Sequence, residues 1–129
     1  QGESVGLNIQ LKTEQRINPY VKKSMAFGHF FTRKVMLSFA AQAYVFFPGG
    51  FGTLDEFFEI VTLVQTKKIK KIPVILVGQD YWGGLIDWIT EMVYNRHKAI
   101  NSEDIQLFQL VENVNQAVEI IKNSIPSTL

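Results

Sequence analysis

The stretch VFFPGGFGTLDEF, residues 45–57, decides how this chain is read. An apolar run meets Pro48, then Gly49, Gly50 and Gly52 follow, then Thr53 and the carboxylates Asp55 and Glu56. A short aromatic and β-branched run reads as a buried strand that the proline ends. Thr53 reads as a helix N-cap whose side-chain oxygen serves an amide of the first turn. The glycines between permit positive φ and leave no Cβ in the way of a ligand. A strand, a bare loop and a helix in that order deliver backbone amides to the positive end of a helix. That is an anion site, at the carboxyl end of a strand where open α/β sheets bind ligands. Turn chemistry alone is the competing reading. Thr53 and Glu56 have capping-box spacing, and glycine motifs by themselves are weak signals.

The pattern continues outward. Strands are expected at residues 4–11, 43–47 and 72–78, and a short one within 105–112. Helices are expected at 29–43, 53–68, 81–97 and 113–125. KTEQRINPY, residues 12–20, reads as a loop with an Asn-Pro turn signal. Short apolar strands alternating with helices predict one α/β domain over residues 1–129, a Rossmann-like three-layer α/β/α arrangement with a mostly parallel sheet. The chain's 129 residues and 47% apolar content suit one core. Lys67, Lys68, Lys70 and Lys71 lie between a helix and a strand, where cations suit the negative helix pole.

Composition excludes several chemistries. There is no cysteine, so disulfides, thiol catalysis and cysteine-bound zinc are out. His29 and His97 are far apart, with no HExxH-like spacing, and no metal is expected. A net charge of +1 speaks against a dedicated nucleic-acid binder. No apolar run approaches a membrane span, and a cytoplasmic location is expected.

Two acids at the front of the 53–68 helix repel a phosphate dianion, so a cation is required nearby. Arg33, in the preceding helix, has a guanidinium fork suited to phosphate oxygens; a snorkelling surface arginine is the alternative. Lys34 points about 100° away on that helix. Amides, an arginine and a carboxylate suit cleavage of an N-glycosidic bond on a phosphorylated sugar. Positive charge grows on the ribose carbon there, and a carboxylate stabilises it and orients water. Glu56 is the candidate. Tyr81, Trp82 and Trp88 read as core or interface rather than as stacking groups, and His29 as an N-terminal helix residue.

PGGFGTLDE resembles the PGGxGTxxE signature of the Lonely-Guy type phosphoribohydrolases, often labelled lysine decarboxylase-like. FFTRKVML is similar to that family's arginine-lysine motif, and IPVILVGQDYWGGLIDWI to its next strand and helix. The resemblance spans nearly the whole chain. It implies hydrolysis of nucleoside 5′-monophosphates, cytokinin riboside monophosphate or AMP, to free base and ribose 5-phosphate. It implies catalytic roles for Arg33 and Glu56, and a phosphate loop made of Gly49, Gly50, Gly52 and Thr53. A non-catalytic nucleotide-binding module is the alternative. No pyridoxal-phosphate lysine is recognisable, and no cofactor is expected. The family's opening strand and helix, with their GGGxxGxM-type segment, have no counterpart here, which implies an N-terminally truncated form. Helix 53–66 is apolar on more than one side, and the resemblance implies a homodimer; packing between sheet and neighbouring helix is the alternative.

Overall fold

The computed structural model describes residues 2–9 and 18–124. The chain divides into two compact units, Gln1–Ala40 and Ala41–Leu129. In the first, β1 (Val5–Ile9) pairs in parallel with β2 (Lys23–Phe27), and α1 (Phe30–Ala40) follows. β2 is the strand the sequence does not announce. Four of its five residues are exposed, so KSMAF carries no core alternation to read. Most of the expected 12–20 loop lies outside the described residues; Pro19 and Tyr20 form a turn.

The second unit is built around β4. Val74, Ile75, Leu76 and Val77 are all buried, which is why this segment is a continuous apolar run rather than an alternating one. β4 lies between β3 (Tyr44–Phe46) and β5 (Gln109–Val111), with every pairing parallel. α2 (Phe51–Gln65) connects β3 to β4. α3 (Gln79–Trp88), a π-helical extension (Ile89–Arg96) and a 3-10 turn (Asp104–Leu107) connect β4 to β5, and α4 (Val114–Ser124) follows. The expected strand within 105–112 is therefore half 3-10 turn and half strand.

Alternation along β4 makes two cores. Val74 and Leu76 pack with Phe57 and Ile60 of α2, Trp82 of α3, and Phe108. Ile75 and Val77 pack on the other face with Val111 and with Ala117 of α4. This unit is thus the three-layer α/β/α arrangement expected, with α2 and α3 on one face and α4 on the other. Phe57 is the hub of the first core. Its ring meets Phe46, Trp82 and Phe108 edge-on, with centroids 5.7, 5.4 and 5.4 Å away, and none of its surface is exposed. Edge-to-face contacts of this kind add to simple burial.

α2 ends by local chemistry. Lys67 takes a left-handed φ of 57°, and the Lys67 and Lys68 amides donate to the carbonyls of Val64 and Leu63. These are the paired bonds of a Schellman cap. The exposed lysines at 67, 68, 70 and 71 therefore begin at a helix end, as their spacing suggested. Truncating the aromatic hub, Phe57→Ala, is expected to lower unfolding free energy by about 3–5 kcal/mol, measured by urea denaturation followed by circular dichroism.

Candidate functional site

α2 begins earlier than Thr53. Its cap is Gly50, in an extended conformation (φ −97°, ψ −159°), with no side-chain capping bond. The Gly50 carbonyl accepts from the amides of Thr53 (3.1 Å) and Leu54 (3.2 Å). Thr53 is therefore in the first turn rather than at the cap, and its own amide is engaged. The capping-box spacing misled because a glycine at the true cap has no side chain to announce it. The groups with no intrahelical acceptor are the amides of Gly50, Phe51 and Gly52.

Positive φ, one of the two properties expected of these glycines, is not used in the loop. Among the described residues only Gly78 is a glycine with positive φ. Gly49 is required by contact: a Cβ there would overlap the Thr53 hydroxyl. Gly50 and Gly52 are required by neither strain nor crowding, since a Cβ at either would have nothing within 4 Å. Glycine costs roughly 0.5–1 kcal/mol relative to alanine inside a helix, so Gly52 weakens the first turn without a steric return. What the bare positions provide is open access to three amides at the positive pole of a 15-residue helix. The Thr53 hydroxyl, beside Gly49, has no hydrogen-bond partner among the described residues and adds one more group to this rim.

Glu56 follows Gly52 by four residues and Thr53 by three, so it lies on the same helix side one turn behind them. Helical side chains lean toward the N-terminus, which inclines its carboxylate toward the loop. Glu56 is half-buried and Asp55 exposed. Tyr44, at the start of β3, has its pKa raised above the usual 10.0 by burial first and by the Glu56 carboxylate second. Phe51, between the glycines, is 92% exposed.

The second unit thus brings Gly49, Gly50, Gly52, Thr53 and Glu56 together. Arg33 belongs to the first unit, half-buried on α1. Its Nε donates to the Leu7 carbonyl of β1 at 3.1 Å, which fixes the plane of the guanidinium. It forms no ion pair among the described residues. His29, exposed, gives its carbonyl to the Arg33 amide at the start of α1. Trp82 is core, as expected, whereas Trp88 is 55% exposed.

Tyr81, expected as core or interface, also reaches the glycine loop. Its hydroxyl donates to the Gly49 carbonyl at 2.7 Å. The available signal was position: it stands in the first turn of the helix after β4, where the carboxyl ends of parallel strands converge. Gly78, the cap of α3, takes φ 110°, and a Cβ on it would lie 3.5 Å from Pro48. An open groove of about 630 Å³ lies at the opposite, amino ends of the strands, lined by Lys70, Lys71, Pro73 and Gln109. It shares no residue with the glycine loop. No group of His, Asp and Glu among the described residues is arranged to hold a metal ion. No described helix is long and apolar enough to cross a membrane.

A probable cytokinin riboside 5′-monophosphate phosphoribohydrolase of rice, Oryza sativa subsp. japonica, is 34% identical over 70 residues. The match spans 54% of this chain and 28% of the rice protein. The family described as "possible lysine decarboxylase" matches residues 1–121, and the chain belongs to that family, the one its glycine signature pointed to.

Two measurements check the local account. Gly52→Ala is expected to leave stability unchanged or to raise it by up to ~1 kcal/mol, whereas Gly49→Ala lowers it through the Thr53 overlap; chemical denaturation separates them. In ultraviolet titration, Glu56→Gln should move the Tyr44 pKa down toward its ordinary value while burial keeps part of the elevation. The stability Tyr44 contributes is present below pH ~10 and is lost as pH rises through its raised folded value.

Proposed function

We propose that this member of the family acts in hydrolysis of nucleoside 5′-monophosphates, a cytokinin riboside monophosphate or AMP, releasing free base and ribose 5-phosphate. The observation that carries the reading is the unobstructed amide rim at residues 50–52 with a carboxylate one turn behind it. The activity named for the rice relative supports the same substrate class.

In this reading the 5′-phosphate sits on the amides of Gly50, Phe51 and Gly52 and on the Thr53 hydroxyl. Gly49 lets Thr53 pack close. Arg33, whose Nε donates to the Leu7 carbonyl, is the further residue to which this reading gives a catalytic role, its guanidinium being suited to phosphate oxygens. The C1′–N bond then breaks, its electron pair leaving with the base, and positive charge develops on the ribose. The Glu56 carboxylate stabilises that charge and takes a proton from the water whose oxygen bonds to C1′. The departing base nitrogen gains a proton, which closes the balance. No resident cofactor has a part in this scheme. A homodimer formed through the outer face of α2, where Phe58 is 42% exposed, belongs to the same proposal, as does a cytoplasmic location.

A nucleotide-binding module without turnover is the second reading. It is favoured by the bare glycines themselves, which serve ligand holding whatever the chemistry. Incubation with AMP and with a cytokinin riboside 5′-monophosphate, followed chromatographically, separates the two. The expected result is base release, reduced ~100-fold or more by Glu56→Gln and strongly reduced by Arg33→Ala. Thermal stabilisation by nucleotide with no base released selects the module. Neither turnover nor stabilisation by any nucleoside monophosphate rejects both.

A further inference from the structure

We propose that Tyr81 is a positioning residue that sets the direction of the Gly49–Gly50 peptide and thereby aims the Gly50 amide at the bound phosphate. The inference rests on the reading of residues 50–52 as the phosphate site.

The Gly49–Gly50 peptide stands between two glycines. Turning it over would carry Gly50 from its φ of −97° to a positive φ, a change that costs most residues dearly and glycine little. Backbone preference therefore does not choose between the two orientations. The Tyr81 hydroxyl does, by donating to the Gly49 carbonyl at 2.7 Å. No cis peptide occurs among the described residues, and in a trans peptide the C=O and N–H point in opposite directions. With its carbonyl held toward α3, the peptide must turn the Gly50 N–H away from α3. That N–H has no partner among the described residues, and a side chain at Gly50 would enter open space.

The clamp is itself anchored. The Tyr81 ring packs on the core beside Trp82, centroids 4.8 Å apart and nearly perpendicular. α3 starts at Gly78, whose amide donates to Val111 of β5 at 2.9 Å. The same glycine leaves room for Pro48, the residue before the loop. The Gly49–Gly50 peptide is thus tied through a rigid phenol to the core. The device pre-orients a binding donor before the ligand arrives, which lowers the ordering cost of binding.

The test is Tyr81→Phe, which keeps the ring and its packing and removes only the hydroxyl. Three readouts are compared with the unaltered protein: the amide resonance of Gly50 without ligand, affinity for ribose 5-phosphate, and thermal midpoint. The expected result is a displaced or broadened Gly50 resonance and affinity lower by roughly 5- to 10-fold, the range one neutral hydrogen bond supports, with little change in midpoint. A merely structural tyrosine would move the midpoint and leave the Gly50 resonance and the affinity as they were. Equal affinity in the two proteins overturns the inference, as does an unchanged Gly50 resonance. If the unaltered protein does not bind ribose 5-phosphate, the phosphate-site reading fails, and with it the purpose assigned to the clamp. The unliganded resonance still decides separately whether Tyr81 holds the peptide.

Discussion

The Phe57 ring is enclosed by Phe46, Trp82 and Phe108, so α2 cannot slide along the sheet or turn about its axis without opening the core. That constraint governs everything at the front of the helix. It holds the first turn at the carboxyl end of β3 and fixes which side carries Gly52, Thr53 and Glu56. Glu56 is the residue directly before the hub, about 100° round the helix, and inherits its setting. Burial of an aromatic ring thus becomes the placement of an acid.

The front of α2 shows the opposite economy. Gly52 does nothing for the backbone that alanine would not do as well or better, neither it nor Gly50 is demanded by crowding, and an exposed Phe51 stands between them. The proposed reading of that weakened first turn is that the positions are kept bare for a ligand. Three amides, the positive helix pole and the Thr53 hydroxyl, which has no partner among the described residues, make up that front, and an anion is the ligand proposed for it. In the other unit, the half-buried guanidinium of Arg33 donates through Nε to the Leu7 carbonyl and has no ion pair among the described residues.

Legibility in the sequence followed the physics of burial. β4 was plain because four consecutive buried aliphatics have few other uses. α2 was plain because its apolar residues recur at helical spacing. β2 was not, because an exposed strand carries no apolar pattern. The start of α2 was misplaced by two residues. Thr53 and Glu56 imitate a capping box, while the true cap, Gly50, is silent. The same substitution of motif for geometry made the glycines look like positive-φ residues, when only Gly78 among the described glycines is one. Gly49 is explained by Thr53, a contact visible only in three dimensions. Tyr81 was hidden for a similar reason: an aromatic next to Trp82 reads as packing, and nothing in the linear order reveals that its hydroxyl reaches a carbonyl 32 residues earlier.

The central claim is that the bare amides at the front of α2 hold a phosphoester, and diffraction from crystals grown with ribose 5-phosphate tests it most directly. The account predicts phosphate oxygens within about 3 Å of the amide nitrogens of Gly50, Phe51 and Gly52, with the sugar on the Glu56 side. Density for the phosphate beside Lys70 and Lys71 at the amino ends of the strands, with the glycine loop empty, would contradict it.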